Sequence, residues 1–180
     1  MINVRTVLNG FRTKTRRHPA KDEPVVESPK RPTVTASVLD GIRLLDVLQD
    51  RAPEPLTLTA FKEFCRSMMT LESIEFWLHV ERLRSLPDAT AAVMEYEYVY
   101  YTYIQRNAPH EVNVSARDAN IALRRLQKCI KQNRIDKTIF DDCQNSVQEL
   151  LSRDVFMRFK QRFSPESRSA TNDNTAIRKP

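Results

Sequence analysis

Glu72 and Glu75 stand three positions apart, a spacing that on a helix puts two carboxyls on one face, where a paired acid–base role can be imagined. Their neighbours favour a blander account. On a helical wheel Glu72, Glu75, His79 and Arg82 fall on one narrow polar arc, the pattern of a solvated helix face. Tyr96 to Tyr103 could offer stacking platforms to nucleic-acid bases, yet Glu95 and Glu97 are interleaved with them and would repel phosphate. His18, His79 and His110 have no cysteine or carboxylate at metal-ligand spacing, so no metal site is expected. The chain has no phosphate-cradling glycine loop and no nucleophile elbow. Cys65, Cys129 and Cys143 are odd in number and each falls on an apolar helical face, which reads as buried reduced thiols. Taken together, these residues describe a binding domain without a catalytic centre or cofactor of its own.

The elements that position them are helical. Gly10 and Gly41 are the chain's two glycines, too few for a fold built on tight hairpins. Val38, Ile42, Leu45 and Leu48 keep helical spacing behind Ser37, a good N-cap residue. Pro53 and Pro55 break the chain, and a short helix follows with Phe61, Phe64, Cys65 and Met68. The helix from about Thr70 carries Leu71, Ile74, Phe76, Trp77, Leu78, Val80 and Leu83 around most of its girth and belongs at the centre of a bundle. Residues 89–106 alternate tyrosine with glutamate as a strand would, but Val93, Tyr96, Tyr100 and Tyr103 also keep helical spacing, and no second strand is available to pair. A helix is expected there. Ser115-x-x-Asp118 resembles a capping box ahead of Ala119, Ala122, Leu123, Leu126, Cys129 and Ile130. Ile139, Phe140, Cys143, Val147, Leu150 and Leu151 mark a further helix, and Phe156, Phe159 and Phe163 a last one behind Ser152.

The net charge of +6 lies in the ends: residues 1–35 hold eight basic and three acidic side chains, whereas residues 36–163 balance at 18 each. A neutral folded part argues against nucleic acid as partner. Residues 1–35 read as a basic, mostly disordered arm, residues 36–164 as one domain, and residues 165–180 as a disordered tail. In the arm, Ile2, Val4, Val7, Leu8 and Phe11 precede Lys14, Arg16, Arg17, His18 and Lys21, with no acid before Asp22. That pattern fits contact with an anionic membrane surface, a mitochondrial presequence, or a solvated arm. No apolar run reaches the ~18 residues that span a bilayer, and the N-terminus lacks the apolar stretch of a secretory signal. An intracellular, cytoplasmic protein is expected.

If the helices at 70–84, 89–106, 116–131 and 138–151 form an up-down bundle, alternate connections meet at one pole. The segments Met68 to Ser73, Asn113, and Leu150 to Arg158 would then converge.

Four blocks carry a family resemblance. Phe61-x-x-Phe64 with Leu71-Glu72-Ser73-Ile74-Glu75-Phe76-Trp77-Leu78 resembles the third and fourth helices of an RGS domain, a regulator of G-protein signalling. Ala108-Pro109-His110-Glu111-Val112-Asn113-Val114, then Phe140-Asp141-Asp142-Cys143-Gln144, then Leu150 to Phe159 follow in that family's order and at similar spacing. Leu44-x-x-Val47-Leu48, followed by Ala52-Pro53 and Leu56-Thr57-Leu58, is similar to the beginning of RGS domains of fungal type. The resemblance implies an all-α domain of about nine short helices, an antiparallel four-helix bundle plus a subdomain in which the two chain ends pack together. It also implies a partner, the GTP-bound α subunit of a heterotrimeric G protein, whose GTP hydrolysis such domains accelerate without contributing a reacting group. A monomer at the inner face of the plasma membrane is the corresponding expectation, with mitochondrial import through residues 1–21 as the alternative.

By the same resemblance, Glu72 would hydrogen-bond near the partner's switch segments, and Asn113 would offer them a donor and an acceptor. Asp154 would accept from a switch threonine, with Arg158 as its buttress; an ordinary surface pair at i, i+4 is the competing account of those two. Leu150 would supply apolar contact, or else sit in the core. Met68 and Ser73 depart from the family pattern, in which an acid and an asparagine are common at those places. These departures leave open a scaffold of the same fold without GTPase-activating activity.

Overall fold

The computed structural model describes residues 34–86 and 90–164. The expectations for residues 1–33 and 165–180 lie outside the described residues. Every regular element described is helical: α1 Ala36–Gly41, α2 Leu44–Leu48, α3 Leu58–Ser67, α4 Leu71–Ser85, α5 Thr90–Val99, α6 Ala116–Gln132, α7 Asp141–Leu150 and α8 Phe156–Gln161. Two wider turns extend them. Tyr100–Ile104 continues α5, and Leu151–Val155 joins α7 to α8 without a break, so the described residues form seven continuous helical stretches.

Several local expectations change. Helix α1 starts at Ala36 with Thr35 at its N-cap, so Ser37 lies inside the helix. The run expected through Leu48 is two helices, because Ile42 and Arg43 are extended. The buried side chains there are Leu39, Ile42, Leu44, Val47 and Leu48, while Val38 is exposed. Asp46 accepts from the Arg43 backbone N–H (3.0 Å), which starts α2 afresh. Ser152 begins no new helix. Leu151, Val155, Phe156 and Phe159 keep one buried face through the wide turn, so burial carries the helix onward.

The tyrosine-rich stretch is helical to Ile104. Tyr96, Val99, Tyr100, Tyr103 and Ile104 are buried, whereas Tyr98 and Tyr101 are exposed. A helical face decides the matter over strand propensity. Ser115 Oγ accepts from the Asp118 N–H (3.1 Å), and the Asp118 carboxylate turns to Ser146 Oγ (3.2 Å).

Polar bonds fix the bundle's register. Arg84 meets Asp141 (2.6 Å), Gln144 Nε2 donates to the Trp77 carbonyl (3.2 Å), and Trp77 Nε1 donates to Gln148 Oε1 (3.0 Å). As α4 numbers fall, α7 numbers rise by the same step: the two helices are antiparallel. Helices α4 and α5 are antiparallel too, through Arg82–Glu95 (3.6 Å), the Tyr96 hydroxyl on the Leu83 carbonyl (3.5 Å) and Phe76 against Tyr103. So are α6 and α7, through Asp118–Ser146 and Arg125–Asp142 (3.1 Å).

The second part joins the first and last helices of the described residues. Phe61 and Phe64 of α3 pack on Phe156 and Phe159, with Phe61 and Phe159 ring centroids 5.0 Å apart. Lys160 Nζ reaches the Ile42 carbonyl (3.4 Å). Cys65, Cys129 and Cys143 are buried free thiols. Burial pushes the Cys65 thiol up to about 11 and the Cys143 thiol to about 12, so neither is a thiolate nucleophile near neutral pH.

Gln144 is buried, yet all its polar atoms are used. It accepts from Arg84 (2.7 Å) and donates to the Trp77 carbonyl and to Glu81 (2.9 Å). Gln144→Leu is expected to cost about 1–3 kcal/mol by stranding these partners. Chemical denaturation checks this, and an unchanged midpoint would show that the register does not depend on the amide.

Candidate functional site

The antiparallel ladder has a consequence at its open end. Continuing the step set by Arg84–Asp141 and Trp77–Gln148 brings Leu71 to Ser73 level with Ser152 to Asp154, to within about a turn. The link between α5 and α6 reaches the same end. Val112 N–H bonds the Tyr103 carbonyl (2.9 Å), and the Tyr103 ring lies against Phe76, one turn from Ser73. Helix α6 then starts beside the C-terminal half of α7. The bends near residues 70, 113 and 154 thus share one pole of the bundle.

Each bend is shaped by local chemistry. At the first, α3 closes with the Thr70 N–H on the Cys65 carbonyl (3.0 Å) and the Met69 N–H on the Arg66 carbonyl (3.2 Å). This closure needs a left-handed residue after the cap, a place that favours glycine. Here it is Met69, at φ 57°. Met68 is half-buried and packs against the core, whereas Met69 is 86% exposed. Glu72 and Ser73 are half-buried in the first turn of α4. Neither side chain makes a hydrogen bond within the described residues.

At the second bend Val112 is buried and Val114 half-buried against the core. The Val114 N–H bonds the Val112 carbonyl (3.0 Å), a tight turn centred on Asn113, and Asn113 is exposed between the two inward valines. Its amide has no partner within the described residues.

At the third bend the wide turn buries Leu151 and Val155 and exposes Ser152, Arg153 and Asp154. Arg158 Nε donates to Asp154 Oδ1 (2.6 Å), and both side chains remain more than half exposed. A pair so open to water contributes little to stability. Leu150 is 46% exposed, which removes the core alternative for it.

The polar arc of α4 does not assemble an acid–base pair. Glu75 lines a cavity of about 460 Å³ with Lys62, His79, Arg82, Tyr103 and His110, and Glu72 is not among its lining residues. His79 Nδ1 is 3.0 Å from the Tyr103 hydroxyl. Burial, followed by the Glu75 charge, raises Tyr103 to about 12, so it stays a neutral phenol. Among the described residues no group of three histidines, cysteines or carboxylates gathers as a metal site, and no helix is long and apolar enough to cross a membrane.

The pole therefore presents unpartnered polar groups (Glu72, Ser73, Asn113), one open ion pair (Asp154–Arg158) and exposed apolar side chains (Met69, Leu150). That mixture suits docking a protein surface better than turning over a small molecule. Met69 has no sequence signal: nothing in Met68-Met69-Thr70 marks a left-handed turn. Met69→Gly is expected to raise stability by about 1 kcal/mol through relief of the backbone conformation. It should weaken docking at this pole, and a thermal melt paired with a binding assay reads both.

Comparison with known proteins gives a consistent picture. The profile of the family described as "Regulator of G protein signaling domain" matches residues 48–162. Mouse "Regulator of G-protein signaling 18" is 28% identical over 100 residues, 56% of this chain and 40% of that protein. Human "Regulator of G-protein signaling 8" is 23% identical over 133 residues, covering 74% of this chain and 71% of the relative. Bovine "Regulator of G-protein signaling 5" is 25% identical over 138 residues, covering 76% and 73%.

Proposed function

Because this chain belongs to the regulator of G protein signaling (RGS) domain family, we propose that it binds the GTP-bound α subunit of a heterotrimeric G protein and accelerates its GTP hydrolysis. In that role the domain supplies no reacting group. It grips the partner's switch segments in the arrangement they take at the transition state, so the partner's own arginine and glutamine act on the γ-phosphate and the attacking water. Tighter binding to the transition state than to the ground state is what lowers the barrier.

The observation that supports this most is the common level of the three bends, each carrying side chains free to bond elsewhere. Asn113, with an unused amide, donates and accepts at once toward the switch segment that orients water. Asp154 accepts from a switch hydroxyl, and the bond from Arg158 holds the carboxylate in place for it. Glu72 and Ser73 face the same segment from the first turn of α4, and Leu150 and Met69 cover it with apolar surface. The action proposed is attenuation of receptor signalling in the cytoplasm, at the inner face of the plasma membrane. Mitochondrial signal from a C-terminally tagged fusion would contradict that location.

Capture of Gα by the immobilised protein tests the proposal. Binding should favour the GDP–aluminium-fluoride form over the GDP form by a wide margin. A second reading rests on Met68 and Ser73. Met68 lies against the core and offers no carboxylate, and serine is shorter than the asparagine common in the family. A scaffold that binds Gα without accelerating it would capture both nucleotide forms equally.

A further inference from the structure

The cavity of about 460 Å³ beside α4 gathers charge of both signs against a wall of rings. Lys62 reaches it from α3 and Glu75 from α4, and both side chains are half-buried. Neither makes a hydrogen bond or ion pair within the described residues, with each other or with anything else. Arg82, the remaining fixed charge in the lining, is turned to Glu95 of α5 (3.6 Å). One acid and one base are left over, on two different helices, and their charges sum to zero.

Four rings stand in one continuous run along the same cavity. Tyr98 lies edge-on to His79 at 6.1 Å, His79 is tilted to Tyr103 at 5.5 Å, and Tyr103 to His110 at 6.1 Å. His79 Nδ1 and the Tyr103 hydroxyl are committed to each other (3.0 Å), which fixes the middle of the run. Its far end is tied to the second bend. The His110 N–H donates to the Thr102 carbonyl (3.0 Å), and the Val112 N–H to the Tyr103 carbonyl (2.9 Å). Rings on several elements, with a few unengaged polar groups pointing between them, are what a small-molecule site is made of.

We propose that this cavity binds a small zwitterion carrying an aromatic ring, the chemical class of the free aromatic amino acids. The ligand's ring packs on the tyrosine and histidine rings, its ammonium group donates to Glu75, and its carboxylate accepts from Lys62. A ligand with a single charge would leave one of the two protein charges unmatched, and an apolar ligand would leave both. Because Tyr103 and His110 belong to the stretch that leads into Asn113, an occupant also steadies the second bend. That effect belongs to this chain alone and does not depend on which protein docks at the bends.

Calorimetric titration of the full chain with tryptophan and with phenylalanine tests the proposal. One or both should bind. Alanine, tryptamine and indolepropionate, which lack the ring, the carboxylate and the ammonium group in turn, should bind about tenfold more weakly. Glu75→Gln should weaken tryptophan about tenfold without weakening indolepropionate, and Lys62→Gln should weaken tryptophan without weakening tryptamine. Lys128→Gln, exposed on α6 and outside the cavity lining, should change nothing. Hydrogen exchange locates the site: tryptophan should slow the His110 and Val112 N–H groups. The ligand series needs no substitution, so it stays decisive even where a variant folds poorly. The proposal is overturned if neither amino acid binds, if tryptamine and indolepropionate bind as well as tryptophan, or if Glu75→Gln and Lys62→Gln behave as Lys128→Gln does.

Discussion

Replacing Asn113 by alanine is expected to lower the stimulation of GTP hydrolysis about 10- to 100-fold while leaving the melting temperature almost unchanged. Both halves follow from the same local structure. The valines on either side supply the anchoring, Val112 buried and Val114 half-buried, so removing an exposed amide with no internal partner disturbs no packing. Surface changes of that kind shift stability by about 0.5 kcal/mol at most. The loss of rate follows from the proposed docking. A carboxamide that donates and accepts at a desolvated contact, made fully only in the transition state, contributes roughly 1.5–3 kcal/mol. Single-turnover hydrolysis and a thermal melt on the same preparation measure the two quantities. If Asn113→Ala instead unfolds the domain, Asn113 is a structural residue and the site has been drawn in the wrong place.

Phe61→Ala should have the largest effect on stability. Phe61 is fully buried, its ring lies edge-on to Phe156 at 5.8 Å, and it stacks obliquely on Phe159 at 5.0 Å. Truncating such a side chain costs about 3–5 kcal/mol, through lost transfer energy and the cavity left behind. Natural domains hold about 5–15 kcal/mol in all, so the melting temperature should fall by about 10 °C or more. Denaturation followed by circular dichroism would show this. The position also links α3 to the pole of the three bends, because Phe156 follows directly on the wide turn that exposes Asp154. A fall of only a degree or two would mean that the terminal subdomain contributes little to the fold.

Much of this architecture is written in periodicity. The apolar girth of Leu71 to Leu83 marks α4 as the central helix, and antiparallel bundle geometry alone brings residues 70, 113 and 154 to one pole. Even the tyrosine-rich stretch yields once helical spacing is weighed against strand propensity. What escaped has a physical reason in each case. Val38, Ile42, Leu45 and Leu48 keep a helical beat, but burying Leu39, Leu44 and Val47 together with Ile42 and Leu48 requires the break at Ile42 and Arg43. The wide turns at Tyr100–Ile104 and Leu151–Val155 insert into otherwise regular helices and have no composition of their own. Both lie at the pole that carries the three bends, and such turns often mark functional sites. Met69 occupies a left-handed closure that ordinarily advertises itself with glycine.

Single-turnover GTP hydrolysis by Gα subunits, with and without this protein, tests the central claim most directly. Faster hydrolysis by at least one Gα, diminished by Asn113→Ala and by Asp154→Ala in folded protein, is the predicted result. Identical rates with and without the domain across the organism's whole Gα set would contradict it.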